Sequence, residues 1–162
     1  MNTGTLILSI FFIIICASPF ILSTINSRKR KKNMLKNLTA LANKNDATIT
    51  KHEVGVDFII GLDEPKNKVL FFKKTAEKTT EQCLDLSDYK ACRILKFGKN
   101  LNAKSNVNAI ETLKLDFTPK DKTVTESQFE FFNEDTNIQL SGELQLINTW
   151  QPLIQQRIAA LN

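Results

Sequence analysis

The chain is 162 residues long, with 22 basic and 17 acidic side chains and a formal net charge of +5. Residues 1–32 contain no aspartate or glutamate, and the whole positive excess lies in residues 28–32. Residues 33–162 carry equal numbers of both signs, whereas a nucleic-acid-binding domain typically presents a basic face. The composition therefore argues against a nucleic-acid partner, and the length suits one compact domain after the basic residues.

The first predicted element is a membrane anchor. Residues 6–25 carry no charged side chain, and a helix needs about 20 apolar residues to cross a bilayer. No lysine or arginine precedes this run, and positive flanking residues stay on the cytoplasmic side of a membrane. We therefore predict an uncleaved single-pass transmembrane anchor in the inner (plasma) membrane, with the N-terminus outside and the C-terminal domain in the cytoplasm.

A cleaved secretory signal peptide is the alternative interpretation of the same run. Such a peptide needs a positively charged start and a cleavage site with small residues. Residues 1–5 contain no basic side chain, and Pro19 lies where cleavage would have to occur. Both departures favour the uncleaved anchor.

Five consecutive basic residues follow the apolar run. They are the only residues that we predict to contact the membrane surface. Near a membrane surface, each basic residue contributes about 1 kcal/mol of attraction to anionic headgroups. We expect them to orient the anchor and to make non-specific contact with anionic lipids at the membrane surface. These residues, called the basic run below, are Arg28, Lys29, Arg30, Lys31 and Lys32.

A short amphipathic helix is predicted next, because apolar residues recur at helical spacing from Met34 to Ala42. The pair Asn45-Asp46 is expected to end it. The predicted divisions are residues 1–27 (anchor), residues 28–46 (basic juxtamembrane segment and short helix) and residues 47–162 (β-rich domain).

Alternating apolar residues then indicate strands. Every second residue in 54–62 is apolar, which predicts one strand with a single buried face. Residues 63–67 suit a turn, because Pro65 fixes φ and Asn67 tolerates left-handed backbone. The segment KVLFFKK returns as a second strand, so residues 54–74 are predicted to form a hairpin.

Further strands are predicted wherever apolar and polar residues alternate between polar loops. The predicted strands cover residues 82–86, 90–97, 113–117 and 123–132. The predicted loops and turns cover residues 98–108, 118–122 and 133–137.

The chain ends with a predicted amphipathic helix. From Gly142 to Leu161, apolar residues recur every three or four positions. Pro152 is expected to kink this helix or to divide it near Thr149. Strands followed by one helix predict an α+β domain, in which the helix closes an antiparallel β-sheet or partly open barrel with Trp150 as its main anchor.

This order of elements resembles the pleckstrin-homology-like (PH-like) fold, over roughly residues 47 to 161. The segments that carry the resemblance are VDFIIGLDEPKNKVLFFKK, LDLSDYKACRIL and ELQLINTWQPLI. The chain also resembles small uncharacterised bacterial membrane-anchored proteins with such a domain. Phosphoinositide-binding members of the family use a basic first hairpin, whereas the turn DEPKNK has two acidic and two basic residues. The resemblance therefore implies a fold and no lipid ligand.

The single histidine and two of the cysteines are the residues with the most reactive side chains. A Cys–His enzyme needs both groups within hydrogen-bond reach, and structural zinc needs four ligands at characteristic spacing. Cys83 and Cys92 are nine residues apart, and His52 lies 31 residues before the first of them, which matches no common zinc pattern. We predict buried thiols, no catalytic residue, no metal site and no cofactor.

Three functional hypotheses follow. The first is a single-pass membrane protein that presents a non-enzymatic interaction or scaffolding domain to an unidentified protein partner at the cytoplasmic surface. The second is a thiol-dependent enzyme or redox sensor that uses Cys83, Cys92 and His52. The third is a small accessory subunit of a membrane complex, bound through its anchor, although residues 6–25 contain no GxxxG pairing motif.

Overall fold

The computed structural model of the chain describes residues 3–98, 110–121 and 123–161, and within the first helix it describes the side chains of residues 11–16 and 26–44. These ranges contain two long helices, seven strands and one short 3-10 turn. In chain order the elements are α1 (Thr3–Lys44), β1 (Lys51–Val54), β2 (Phe58–Asp63), β3 (Lys68–Lys74), β4 (Thr79–Asp85), the 3-10 turn Leu86–Asp88, β5 (Tyr89–Phe97), β6 (Thr112–Pro119), β7 (Ser127–Asn133) and α2 (Glu143–Ala160).

The strands form two antiparallel sheets. The first has the order β1-β2-β3-β4 and the second has the order β5-β6-β7. An α+β fold with antiparallel strands and a C-terminal helix is therefore confirmed. The partly open barrel is wrong, because neither sheet closes on itself in the described ranges: β4 and β7 each end their own sheet, with no ladder between the two sheets.

The strand predicted over residues 54–62 contains a reversal of the chain: Val54 ends β1, and β2 begins at Phe58. β1 pairs with β2 in antiparallel register, with His52 opposite Gly61, so the chain reverses between them. The Gly55 amide donates to the Phe58 carbonyl at 2.8 Å and closes the reversal. A Cβ atom on Gly55 would lie 2.4 Å from Cε1 of the Phe58 ring, so only glycine fits there without movement. The alternating pattern continued across this turn and concealed it.

Helix α1 covers the outer face of the first sheet, which is the face turned away from the second sheet. Its buried residues Met34, Leu38, Leu41 and Ala42 confirm the predicted spacing, and they pack with the strand residues Ile59, Leu70 and Phe72. All six residues of β2 are buried, so the prediction of one buried face is wrong. The cause is a helix on one side of the sheet and the main core on the other.

The main core lies between the two sheets and is rich in aromatic rings. Phe71 of the first sheet stacks on Phe129 of the second, with ring centroids 4.7 Å apart. Phe58 and Phe131 also meet across the two sheets, with tilted rings whose centroids are 4.6 Å apart. The hairpin formed by β2 and β3 and the strands predicted near residues 82–86, 90–97, 113–117 and 123–132 are confirmed, with ends shifted by a few residues.

Helix α2 completes this core. Trp150 is fully buried, as predicted, along the stripe that includes Ile147 and Ile154. The helix is continuous through Pro152, so the predicted division near Thr149 is wrong. Pro152 lies on the exposed side of α2, where water can bind the carbonyl that loses its amide partner.

Two predictions are not confirmed by the structure: the transmembrane anchor at residues 6–25 and the loop at residues 98–108. In the described part of the chain, no helix combines the length and the apolar character that crossing a bilayer requires. The transmembrane anchor predicted for residues 6–25 is thus not supported by the structure and stays a prediction. The predicted loop at 98–108 lies, except for Gly98, outside the described residues.

Candidate functional site

The basic run lies within α1, on a single continuous helix of 42 residues. All five of its side chains are exposed. The apolar residues Phe11–Ile15 precede it on the same helix, and Met34 begins the buried contact with the sheet. The predicted juxtamembrane segment is therefore a helical extension of the domain.

His52 and Cys83 do not meet. The register of the first sheet places His52 opposite Gly61, Gly61 opposite Leu70, and Leu70 opposite Cys83. The histidine and the cysteine are thus on one face but three strand spacings apart, about 14 Å. A proton cannot pass directly between them at that distance, so they form no nucleophile pair.

Cys92 belongs to a different part of the molecule and is unsuited to thiolate chemistry. It is buried in the core between the sheets, whereas Cys83 packs against the contact between α1 and the outer face. Burial, with a smaller contribution from Asp116, raises the pKa of Cys92 to about 12. Burial also raises the pKa of Cys83. A reactive thiol needs the opposite shift.

Metal binding gains no support from the arrangement of ligands. Across the ranges that the structure describes, no three His, Cys, Asp or Glu side chains group closely enough to hold an ion.

The edge of β5 is covered by α2 through two glutamines. Gln155 Oε1 accepts a hydrogen bond from the Cys92 amide at 2.7 Å, and Gln151 Nε2 donates to the Cys92 carbonyl at 2.8 Å. The side chains of α2 therefore occupy backbone groups that another strand would otherwise pair with. In the sequence, the only sign that these glutamines act together is their spacing of four residues, which places both on one face of α2.

A groove opens on the opposite side of the molecule, between β4 and β7, and has a volume of about 420 Å³. We call it the edge groove. Its lining contains one apolar ring, that of Phe71, together with charged groups of both signs, hydroxyls and amides. The lining residues are Phe71, Lys73, Thr75, Glu77, Lys78, Thr80, Gln82, Lys114, Gln128, Glu130 and Thr136.

A buried lysine connects the two sheets at one end of the edge groove. Lys73 Nζ lies 3.3 Å from Asp57 Oδ2 and 3.1 Å from Glu130 Oε1. The Lys73 side chain is only 5% exposed, and that of Asp57 is 12% exposed. Asn137 Nδ2 donates to the same Asp57 oxygen at 3.0 Å. These partners compensate the desolvation of the ammonium group.

Among the residues that the structure describes, β4 pairs only with β3, so its outer edge along the edge groove carries no further strand. The Thr75 amide donates to the Lys78 carbonyl, and the Leu86 amide donates to the Asn67 carbonyl, at opposite ends of the β3–β4 ladder. Because hydrogen-bonded pairs alternate in an antiparallel ladder, Thr80 and Gln82 direct their backbone groups toward β3. The intervening residues, Thr79, Glu81 and Cys83, direct theirs away from the sheet.

Comparison with known proteins does not show a family for this chain. The chain matches no family model, no curated protein and no solved structure. The resemblance to the PH-like fold stays a prediction.

Proposed function

We propose that the chain is a membrane-attached, non-enzymatic interaction protein. Residues 6–25 of α1 would insert into the membrane, and the β-rich domain would be presented at the cytoplasmic surface in a PH-like arrangement. One observation carries the proposal. Helix α1 is a single helix in which residues 34–42 pack against the first sheet, while the apolar side chains of residues 11–15 are exposed.

The uncovered side chains surround the helix. Phe11, Phe12, Ile13, Ile14 and Ile15 are between 50% and 66% exposed. Successive residues of an α-helix are rotated by about 100°, so five in a row face every direction. An apolar surface on all sides of a helix is typical of a lipid environment, since a protein partner would cover one side. This distribution supports attachment to a membrane.

The attachment is tested by replacing apolar residues of the helix with lysine. The full chain is expressed in bacteria, and the membranes are washed with alkaline carbonate. We expect the unmodified chain to stay in the membranes and the variant Phe12→Lys/Ile14→Lys to be lost from them, because each buried charge costs about 3 kcal/mol.

The matched control adds two lysines outside the helix. Phe97 and Ile138 are also exposed apolar residues, at 51% and 105%. The variant Phe97→Lys/Ile138→Lys should stay in the membranes. Equal loss of both variants, or an unmodified chain in the soluble fraction, would contradict membrane attachment.

Orientation and cleavage are tested on the same cells. Protease added to spheroplasts, from which the outer membrane has been removed, should leave residues 28–162 undigested, and mass spectrometry should find the apolar run still attached. A mature product that starts near residue 18 would instead support the signal-peptide alternative.

The edge groove is the partner site in this proposal, and its occupant is an extended segment of a partner protein. Such a segment would add to the free edge of β4, with main-chain hydrogen bonds to the groups that β4 directs away from β3. The mixed charges and amides of the groove would bind its side chains. The β5 edge is a poorer site for strand addition, because two glutamines of α2 bind its backbone.

Proline substitution tests this mode of binding. Peptides are first selected from a random library against the detergent-solubilised full chain. Glu81 is exposed and its amide points away from β3, so Glu81→Pro removes one donor at the free edge without breaking the sheet. We expect the variant to lose affinity at least tenfold, while Glu81→Ala binds normally and both variants keep the unfolding midpoint of the original chain.

An unchanged affinity of Glu81→Pro would rule out strand addition at β4. The accessory-subunit alternative is separated by replacing residues 6–25 with a polyleucine segment. Partner binding that survives this exchange belongs to the domain, and binding that is lost belongs to the anchor.

A further inference from the structure

A second cavity lies where α1 leaves the domain, beside the end of β3. It has a volume of about 540 Å³, and we call it the basic cleft. Its lining consists of four cationic side chains, three amides and one thioether. The lining residues are Asn26, Lys29, Arg30, Asn33, Met34, Lys36, Asn37 and Lys74.

The helical period explains why these residues meet. Asn26, Arg30, Asn33 and Asn37 are spaced by three or four positions and therefore share one face of α1. Phe72 of β3 is buried against α1, and Lys74 lies two residues further along the same strand, hence on the same outer face. The sheet thus adds a fourth cation to three that the helix supplies.

The basic cleft carries four positive charges. No aspartate or glutamate lines it, and within the described residues none of Lys29, Arg30, Lys36 and Lys74 forms an ion pair. Lysine and arginine provide charged donors, and asparagine amides provide neutral donors for additional oxygens. Donors of both kinds around one cavity fit a compact anion with several oxygens.

We infer that the basic cleft binds a phosphate group, and that its source is the headgroup of an anionic lipid in the membrane to which α1 attaches. The inference deepens the proposed function, because it assigns lipid recognition to the point where the helix meets the domain. Residues 26–30 follow the apolar run directly. At 1.5 Å per residue they extend about 8 Å beyond it, which is the depth of the headgroups if residues 6–25 insert.

This inference revises the expectation of purely non-specific contact by the basic run. Five charges on a flexible tether would form no shaped site. Here they lie on an ordered helix, and only Lys29 and Arg30 face the cleft, while Arg28 and Lys31 are rotated away from it. Recognition should therefore depend on which charges are removed, and not only on how many.

The test uses the full chain in detergent and counts bound lipid by native mass spectrometry. Phosphatidic acid, phosphatidylglycerol and phosphatidylcholine are titrated separately. We expect both anionic lipids to bind at least tenfold more tightly than phosphatidylcholine. Lys29→Gln/Arg30→Gln should weaken anionic-lipid binding about 25-fold, or about fivefold for each cation removed.

The matched control removes two charges from the opposite face of the same run. Arg28→Gln/Lys31→Gln should weaken binding less than threefold. Lys74→Gln should weaken binding about fivefold. Lys90 is also exposed but does not line the cleft, so Lys90→Gln should have no effect. Equal losses in the two double variants, or no preference for anionic lipids, would overturn the inference.

Soluble phosphates distinguish the source of the ligand. Inorganic phosphate and glycerol 3-phosphate should bind at least a hundredfold more weakly than the lipids, because they bring no acyl chains to the neighbouring apolar helix. Equal affinity for glycerol 3-phosphate would overturn the lipid source. Because the titration is performed in detergent, it also gives a result if the carbonate wash shows that the chain does not attach to membranes.

Discussion

Trp150 Nε1 donates a hydrogen bond to Glu53 Oε2 at 2.6 Å, which ties the last helix to the first strand across 97 positions of sequence. The indole ring is fully buried, and Lys51 Nζ lies 5.9 Å from its centre. Trp150 therefore fills the core and also satisfies its one polar atom with a charged acceptor. This pair fixes where α2 crosses the open side between the sheets.

Two substitutions separate these contributions. Trp150→Ala should lower the free energy of unfolding by about 3 to 5 kcal/mol, because it removes a large buried ring. Trp150→Phe keeps much of the ring and should cost about 1.5 to 3 kcal/mol for the lost charged hydrogen bond, with the smaller ring adding to the loss. Chemical denaturation measures both, and Glu53→Ala, which removes the acceptor, isolates the bond in a double-mutant cycle with Trp150→Phe. An unchanged midpoint for Trp150→Ala would mean that the ring is exposed.

Gly61 allows α1 to approach the sheet. A Cβ atom at this position would lie 2.8 Å from Leu38 Cδ2, and Leu38 is fully buried. Gly61→Val should cost about 1 to 3 kcal/mol through overpacking. It should also increase hydrogen exchange in residues 34–44. Leu38→Ala in the same chain should restore part of the stability, whereas a loss that is simply additive would show that the two residues do not touch.

Lys73 should be needed for stability, unlike its neighbour Lys74. Lys73→Met leaves the buried Asp57 carboxylate without its charge partner, which typically costs about 3 to 5 kcal/mol. Lys74 is exposed, so Lys74→Met should change the free energy of unfolding by less than about 0.5 kcal/mol. If the two variants unfold at the same denaturant concentration, Lys73 is solvated and the cluster does not join the sheets.

Cys92 should resist alkylation until the domain unfolds. Its thiol is buried and its pKa is raised to about 12, so almost no thiolate exists at neutral pH. Iodoacetamide at pH 7.5, followed by peptide mass spectrometry, should leave Cys92 unmodified in the native chain and label it in denaturant. Rapid native labelling would revive the thiol-based alternative.

The same shift predicts a loss of stability in alkali. The unfolded thiol loses its proton near the ordinary pKa of 9.0, whereas the folded thiol keeps it up to about pH 12. Stability from this group is therefore unchanged below pH 9 and falls between pH 9 and 12, by up to about 1.4 kcal/mol per pH unit. Cys92→Val should show a shallower decline over that range than the original chain. Parallel declines would contradict the assignment.

Local patterns in the sequence were sufficient for most of the elements. Apolar spacing correctly predicted the helical stripe from Met34 to Ala42 and the buried role of Trp150. It failed between β1 and β2, because the alternation of apolar residues continues through a turn that depends on the fit of Gly55 under the Phe58 ring. The alternation of apolar and polar residues indicates which face of a strand each side chain lies on. It does not indicate where the chain reverses.

The sites depended on contacts that no local pattern contains. The distance between His52 and Cys83 follows from the strand register, and the partners of Lys73 come from Asp57 and from Glu130 on the other sheet. Lys73 appeared in the sequence only as one lysine of the pair in KVLFFKK. Its burial became visible when the second sheet was placed against the first.

The sequence by itself determined the apolar run, the basic run, most of the strands and the final helix, because each depends on residues that are close along the chain. Only the tertiary structure decided which strand edges are covered, which two cations of the basic run face Lys74, and that α1 buries a second face of the first sheet. These outcomes depend on pairings between distant segments, and their energies come from packing and desolvation that exist only once the segments meet.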